Sequence, residues 1–380
     1  MSACLRPLGL LIALLFMAAC AAPGAGAPAK PAASAPAPTS AGAGAQATPA
    51  SASGASTTAQ PAGFASARLP APVTIKFGYT PLLSGGPVFV GLERGYFEQL
   101  NINLDMVRFN SGALMVAPLA NNDLDAGNGG LSPGLYNALM RDVRLRLVAD
   151  GQSSKAGAGT SIAMVRKDLW DAGAVRVPTD LRGKRVSFAT EGSPIDYMMR
   201  NLLRQNGMTM DEMDVSHLTS ADALVGLQNR AVDVATAAEP FPSQIEAMGA
   251  AVKWLSDGDV VPGFQIGAIM FSERFASQPE IGRAFMVAYV RAIREYLDAD
   301  SGRADDEMVA AISKWTTVPP DAIKAAGAPH FNPSGQLSLE DMNRQQDFWI
   351  SEGVMKDKVD MSQFVDLGYV EYANQVLGPR

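Results

Sequence analysis

The chain has 380 residues, more than a single hydrophobic core usually supports, so two domains or two lobes are expected. Hydrophobic residues make up 47% and charged residues 18%, the balance of a protein that folds in water. A formal charge of −7 lacks the basic footprint of nucleic-acid binding and excludes that class.

Residues 1–20, MSACLRPLGLLIALLFMAAC, place Arg6 ahead of an apolar run and close on small residues and a cysteine. The run is too short and wrongly flanked for a spanning helix and reads as a secretory signal over residues 1–19. Its end, LLFMAAC, resembles a bacterial lipobox, which implies Cys20 as a lipid-bearing first residue of the exported protein. Met17 stands where such boxes usually carry Leu, so ordinary cleavage a few residues later stays open. Cys4 and Cys20 are the two cysteines, and the exported chain therefore has no disulfide to form and depends on its core. Residues 20–70 are almost wholly Ala, Pro, Ser, Gly and Thr. Such a stretch has too few apolar side chains to offset the entropy of ordering, and is expected to be a disordered linker. Its mean reach would be on the order of 40 Å.

Folding is expected to begin with the β-rich run VTIKFGYT, residues 73–80. Short apolar runs then alternate with helical patterns, the strand candidates being NLDMVRF, LDAGN, VRLRLVAD, SIAMVRK, KRVSFAT, DVSHLT and VDVATAA. Alternation of this kind implies α/β lobes built on mostly parallel sheets. In GSPIDYMMRNLLRQNG, Ser193 suits an N-cap, Pro194 the first helical position and Asp196 a capping-box spacing. Ile195, Met198, Met199, Leu202 and Leu203 form one apolar face before Gly207 stops the helix. Ser132 and Pro133 repeat the device, and after about Ser277 the patterns are helical only.

One phrase occurs twice. LANNDLDAGNGGLSP (Leu119–Pro133) and LQNRAVDVATAAEPF (Leu227–Phe241) share Leu, Asn and Asp at equal spacing, then small residues and a Pro. Each reads as a helix end, a turn, a strand and a loop opening the next helix. Ligands of open α/β sheets bind beyond the carboxyl ends of strands, where helix N-termini present free N–H groups. Two such units suggest two lobes with facing rims, although the phrase would also recur wherever helix–turn–strand units do.

Gly78 and Tyr79, the stretch ERGYFEQLNINLDMVRFNSG with Gly95, Tyr96, Phe97, Glu98, Ser111 and Gly112, and then Asp125 and Gly127 stand in a familiar order. With them the chain resembles the periplasmic solute-binding proteins of bacterial ABC importers for nitrate, sulfonates, taurine and thiamine precursors. Asn122 stands where that family commonly has Gly, which suits a left-handed turn. The resemblance is clear from about Val73 to Ser256 and implies a two-lobed periplasmic-binding-protein-like (type II) fold. Lobe one would comprise residues 71–158 and 264–380 and lobe two residues 159–263, with hinge crossings near Gly157–Ser161 and Pro262–Gln265. It further implies a monomer in the periplasm or cell envelope, no cofactor, a small organic solute as ligand and an inner-membrane ABC permease as partner.

The strand-end rule and the family pattern together select five segments. Thr80–Gly86 supplies Thr80, Leu82, Leu83 and Ser84, and Asn110–Gly112 supplies Ser111 and Gly112. Asn128–Ser132 supplies Gly129, Leu131 and Ser132, Thr190–Ser193 supplies Glu191 and Ser193, and Glu239–Phe241 supplies Glu239. Phe264, beside the second crossing, could stack on a planar ligand. Ser132 and Ser193 equally suit helix capping. None of the five segments contains Arg or Lys, whereas Glu191 and Glu239 would repel a bare anion and favour an amine, an N–H-bearing heterocycle or a polar neutral solute. Glutamate before proline occurs at this place in family members of varied specificity, which makes a structural role for Glu239 the alternative. An enzyme resembling thiamine-pyrimidine synthases, or a ligand-sensing module, would use the same fold. Such synthases rely on a histidine and a lysine-bound cofactor, and the two histidines here, His217 and His330, fall outside the five segments. Metal ligands at a workable spacing are missing from the sequence.

Overall fold

The computed structural model describes residues 63–141 and 143–380; the expected signal, Cys20 and most of the expected linker lie outside the described residues. Ten strands are present among them: β1 (Val73–Tyr79), β2 (Ile102–Arg108), β3 (Ala126–Gly130), β4 (Leu145–Ser153), β5 (Ser161–Arg166), β6 (Arg185–Phe188), β7 (Asp214–His217), β8 (Val234–Ala238), β9 (Ala251–Ser256) and β10 (Gln265–Ser272). They form two five-stranded sheets, in the orders β2-β1-β3-β10-β4 and β7-β6-β8-β5-β9. In the first sheet β10 is antiparallel to both β3 and β4, and in the second β5 is antiparallel to both β8 and β9. Four strands of each sheet thus run one way and one runs against them. The chain passes between the sheets twice, through residues 154–160 and 257–264.

Side-chain alternation explains the layers. In β1, Ile75 and Phe77 are buried while Thr74 and Lys76 are exposed, so one face of the strand packs inward. Phe77 stacks on Phe285 with ring centroids 5.8 Å apart, and Phe97 and Phe271 lie 5.3 and 5.6 Å from the same ring. Phe285 belongs to the helix Pro279–Asp298, which carries the first lobe's core. On the second sheet, Met198, Met199, Leu202 and Leu203 of the helix Pro194–Gln205 cover Val165, Val186, Phe188 and Val234. That is the apolar face expected from the sequence spacing, and Gly207 ends it at φ +63°.

The doubled phrase is one structural unit built twice. Asn122 and Arg230 both take left-handed backbone, at φ 62° and 63°, turning the chain from helix into strand. The Asp125 N–H then donates to Lys76 O at 3.0 Å while its carboxylate accepts from Lys76 N at 2.9 Å. Asp233 repeats this with Arg185, its N–H donating at 2.8 Å and its carboxylate accepting at 3.0 Å. Each aspartate therefore clamps the neighbouring parallel strand, at the middle of β1 and at the first residue of β6, and sets the register of the strand that leads to the rim.

Three features depart from expectation. Residues 63–69, assigned above to the tail of the linker, are folded: Phe64 is fully buried, edge-on to Tyr96 at 6.3 Å and under the Arg291 guanidinium at 4.6 Å. Neither β9 nor β10 was among the strand candidates. β10 is buried along its whole length, so it lacks the alternation that marks a half-exposed strand.

Candidate functional site

A cavity of about 200 Å³ lies between the two sheets, lined from the first lobe by Thr80, Leu82, Ser84, Asn110, Ser111, Gly112, Asn128 and Gly129 and from the second by Thr190, Ser193, Thr219, Ser220 and Glu239, among others. The strand ends β3 and β8 bring Asn128–Gly130 and Ala238–Glu239 to it, so both copies of the repeated phrase deliver their loops to one hollow. Gly112 permits a close approach, since a Cβ there would stand 2.8 Å from Gly130 N.

Helix starts converge on this space. Ser111 Oγ accepts from Ala113 N at 3.3 Å and Ser193 Oγ accepts from Asp196 N at 3.2 Å. Each hydroxyl thereby satisfies a free N–H of its own helix and keeps its hydrogen to donate elsewhere. Thr219 Oγ1 differs, donating to Asp222 Oδ2 at 2.7 Å. The starts of the helices Pro194–Gln205 and Ser220–Gln228 also line it, and their N–H groups and the hydroxyls favour acceptor atoms.

Of the residues chosen from sequence, Thr80, Leu82, Ser84, Ser111, Gly112, Gly129, Ser193 and Glu239 line the cavity. The other five do not, each for a physical reason. Leu83 and Leu131 are 2% and 1% exposed and belong to the cores. Ser132 caps the helix Pro133–Met140, accepting from Leu135 N at 3.2 Å. Glu191 has a side chain 67% exposed and sits 3.7 Å from Arg200. Phe264 is buried and stacks on Tyr197 at 4.6 Å rather than facing the hollow.

The charge argument built on the two glutamates does not survive this geometry. Glu239 is buried and its carboxylate is committed: Oε1 meets Lys253 Nζ at 2.8 Å, Ser243 Oγ at 3.0 Å and Gly327 N at 3.1 Å, while Oε2 accepts from Ser243 N at 3.1 Å. Neither carboxylate presents an uncompensated charge to the cavity. The basis for preferring an amine is therefore removed.

Sequence reasoning missed the residues in and beside the first crossing that also line the cavity, Gln152, Thr160 and Ser161. Gln152 Nε2 donates to Thr160 Oγ1. Two buried aspartates hold these segments. Asp257 accepts from Thr160 N at 3.1 Å and Ser161 N at 3.2 Å. Asp150 accepts from Gln152 N at 2.9 Å, Gln265 Nε2 at 2.7 Å and Asn332 N at 2.6 Å. Burial pushes each carboxyl up to about 6, against the pull of those hydrogen bonds. A buried aspartate looks like a surface one in sequence, so nothing flagged them.

Both histidines lie outside the lining. His217 Nδ1 is 2.8 Å from Ala189 O, and burial holds the His330 ring below its usual value. Among the described residues no group of three or more His, Cys, Asp or Glu side chains is placed to hold a metal ion, and no helix is long and apolar enough to cross a membrane.

Comparison with known proteins adds the following. The profile of the NMT1-like family matches residues 69–313. The bicarbonate-binding protein CmpA of Synechococcus elongatus is 25% identical over 194 residues, 45% of this chain and 42% of that protein. The match thus spans less than half the length of the curated relative. Among solved structures, the alkanesulfonate-binding protein SsuA from Xanthomonas axonopodis pv. citri bound to MOPS superposes with a TM-score of 0.63 at 19% identity, over 79% of this chain and 100% of that one. The periplasmic nitrate-binding protein NrtA from Synechocystis PCC 6803 gives 0.65 at 15% identity, over 81% and 89%. These likenesses show the periplasmic-binding-protein fold.

Proposed function

This chain belongs to the NMT1-like family, and from that membership and a cavity walled by both lobes we propose that it is the solute-binding component of a bacterial ABC importer. The observation that carries the reading is the lining itself, hydroxyls, amides and helix starts from two facing rims. A solute that touches both rims is held only when the lobes are together, so it shifts the balance between open and closed forms. The closed surface is then what the permease recognises.

The ligand is a small organic solute rich in acceptor atoms, such as a carboxylic or sulfonic acid. Supporting this are the Ser111 and Ser193 hydroxyls, one from each lobe, and the neutralised Glu239. We place the protein outside the cytoplasmic membrane as a monomer, tethered through a lipid on Cys20 and the Ala/Pro/Ser linker. Replacing Cys20 with Ala is expected to move it from the membrane to the soluble fraction.

Native mass spectrometry of freshly purified protein, followed by a thermal-shift panel of small acids, amines and neutral solutes, tests the reading. A true ligand at a hundredfold its Kd adds about 2.7 kcal/mol of stability. If amines stabilise and acids do not, the acceptor-rich class is wrong; if nothing is retained and nothing stabilises, so is the binding role.

A further inference from the structure

The bonds around Glu239 do not all stay within one lobe. Glu239, Ser243 and Lys253 belong to the second lobe, whereas Gly327 follows the helix Pro320–Ala325, whose Ile323 is buried in the first lobe's core together with Ala326. Gly327 N donates to Glu239 Oε1 at 3.1 Å, and Ser243 Oγ stands 3.2 Å from Ala325 O. The Glu239 N–H also donates to Thr160 O at 2.7 Å, at the end of the first crossing. One side of this residue lines the cavity.

We infer that Glu239 is a positioning residue that latches the two lobes together at the cavity floor, with Lys253 anchoring its carboxylate on the second-lobe side. The division of bonds makes the latch reversible. Lys253 Nζ, Ser243 N and Ser243 Oγ all remain with Glu239 when the lobes part, and what is lost is the Gly327 N–H and the approach of Ser243 Oγ to Ala325 O. Opening therefore costs one charge-assisted hydrogen bond and one neutral polar contact rather than stranding a buried charge, which would be far more expensive. A cost of that size biases the lobes toward closure yet leaves them within reach of a ligand's differential affinity. As regulation of the proposed site the latch rests on the solute-binding reading, but the contact is measurable with no solute present.

The test uses the full-length protein without added solute, comparing wild type, Glu239→Ala, Glu239→Gln and Ser243→Ala by amide hydrogen exchange and small-angle X-ray scattering. In Glu239→Ala the Gly327 amide should exchange about tenfold faster and the radius of gyration should rise. Glu239→Gln, which keeps an acceptor oxygen, should restore part of the protection. A purely structural role would lower the melting temperature without this selective effect at Gly327. Unchanged exchange and scattering in folded Glu239→Ala overturns the latch. Should that variant not fold, Ser243→Ala decides: it removes the Ala325 contact and keeps the Lys253 pair, so faster exchange at residues 325–327 supports the latch and wild-type behaviour overturns it. A thermal-shift panel that fails on wild type counts against solute binding and leaves the exchange result standing.

Discussion

At the scale of single residues, two serines with the same local sequence separate capping from binding. Ser132 and Ser193 each precede a proline and each cap a helix, but only Ser193 lines the cavity. Replacing either with Ala is expected to cost about 1 kcal/mol of stability, read from the urea midpoint. Calorimetric titration with the identified solute should then show weakened binding for Ser193→Ala and unchanged binding for Ser132→Ala. Loss of affinity in both would mean that the cap, not the hydroxyl facing the hollow, is what the solute senses. The caps were legible because the Ser-Pro spacing is a local code. The direction of Glu239 was not, since Lys253 and Gly327 are brought to it by the fold and nothing nearby in sequence links them.

At the scale of elements, the two copies of the turn–strand unit carry unequal loads. Asp233 is bonded to Arg166 at 2.6 Å and to Arg185 at 2.7 Å, and the Arg166 side chain is only 12% exposed. Asp125 meets Arg274, whose side chain is 56% exposed. Asp233→Ala removes one of two carboxylates from a mostly covered guanidinium, which keeps Asp168 at 2.6 Å, and also removes the acceptor of the Arg185 N–H; it is expected to cost about 2–3 kcal/mol. Asp125→Ala exposes a charge already in water and should cost roughly 1–2 kcal/mol, mostly for the lost Lys76 N–H bond. Equal urea midpoints for the two variants would contradict this ranking. Most elements were visible in the sequence because alternation and helical spacing each leave a period. β10 left none, being inaccessible on both faces, and β9 is an edge strand, with one buried residue and five half-buried ones.

For the whole molecule, the two crossings tie the lobes' behaviour to pH. Burial lifts Asp150 and Asp257 from the ordinary 3.8 to about 6. Between about pH 4 and 6 the folded chain therefore keeps two protons that the unfolded chain has released, so stability falls as pH rises through that window and levels off above it. Each unit of displacement is worth about 1.4 kcal/mol. Carboxylates held low beside arginines, such as Asp233 and Asp168, lose their contribution only below the window. The urea midpoint is accordingly expected to be higher at about pH 5 than at about pH 7.5, with the slope roughly halved in Asp257→Asn. A midpoint that climbs with pH over this range would refute the assignment. The two-sheet architecture was foreseeable from alternating patterns and the repeated phrase, while the contact of Tyr197 with Phe264, Phe348 and Trp349 joins residues from three distant stretches and had no local signature.

The leading segment is stitched down in a way that bears on mechanics. Leu69 N donates to Leu100 O, Asn101 Nδ2 to Leu69 O, and the terminal helix Gly368–Leu377 packs on the helix Pro279–Asp298 in the same body. Both ends of the described chain are thus seated in one half, and the other half is an inserted loop of tertiary structure. In an optical-trap experiment that tugs on the two ends, tension would have to unzip β4 and β10 before any of it reached residues 161–256, so the inserted half should give way second.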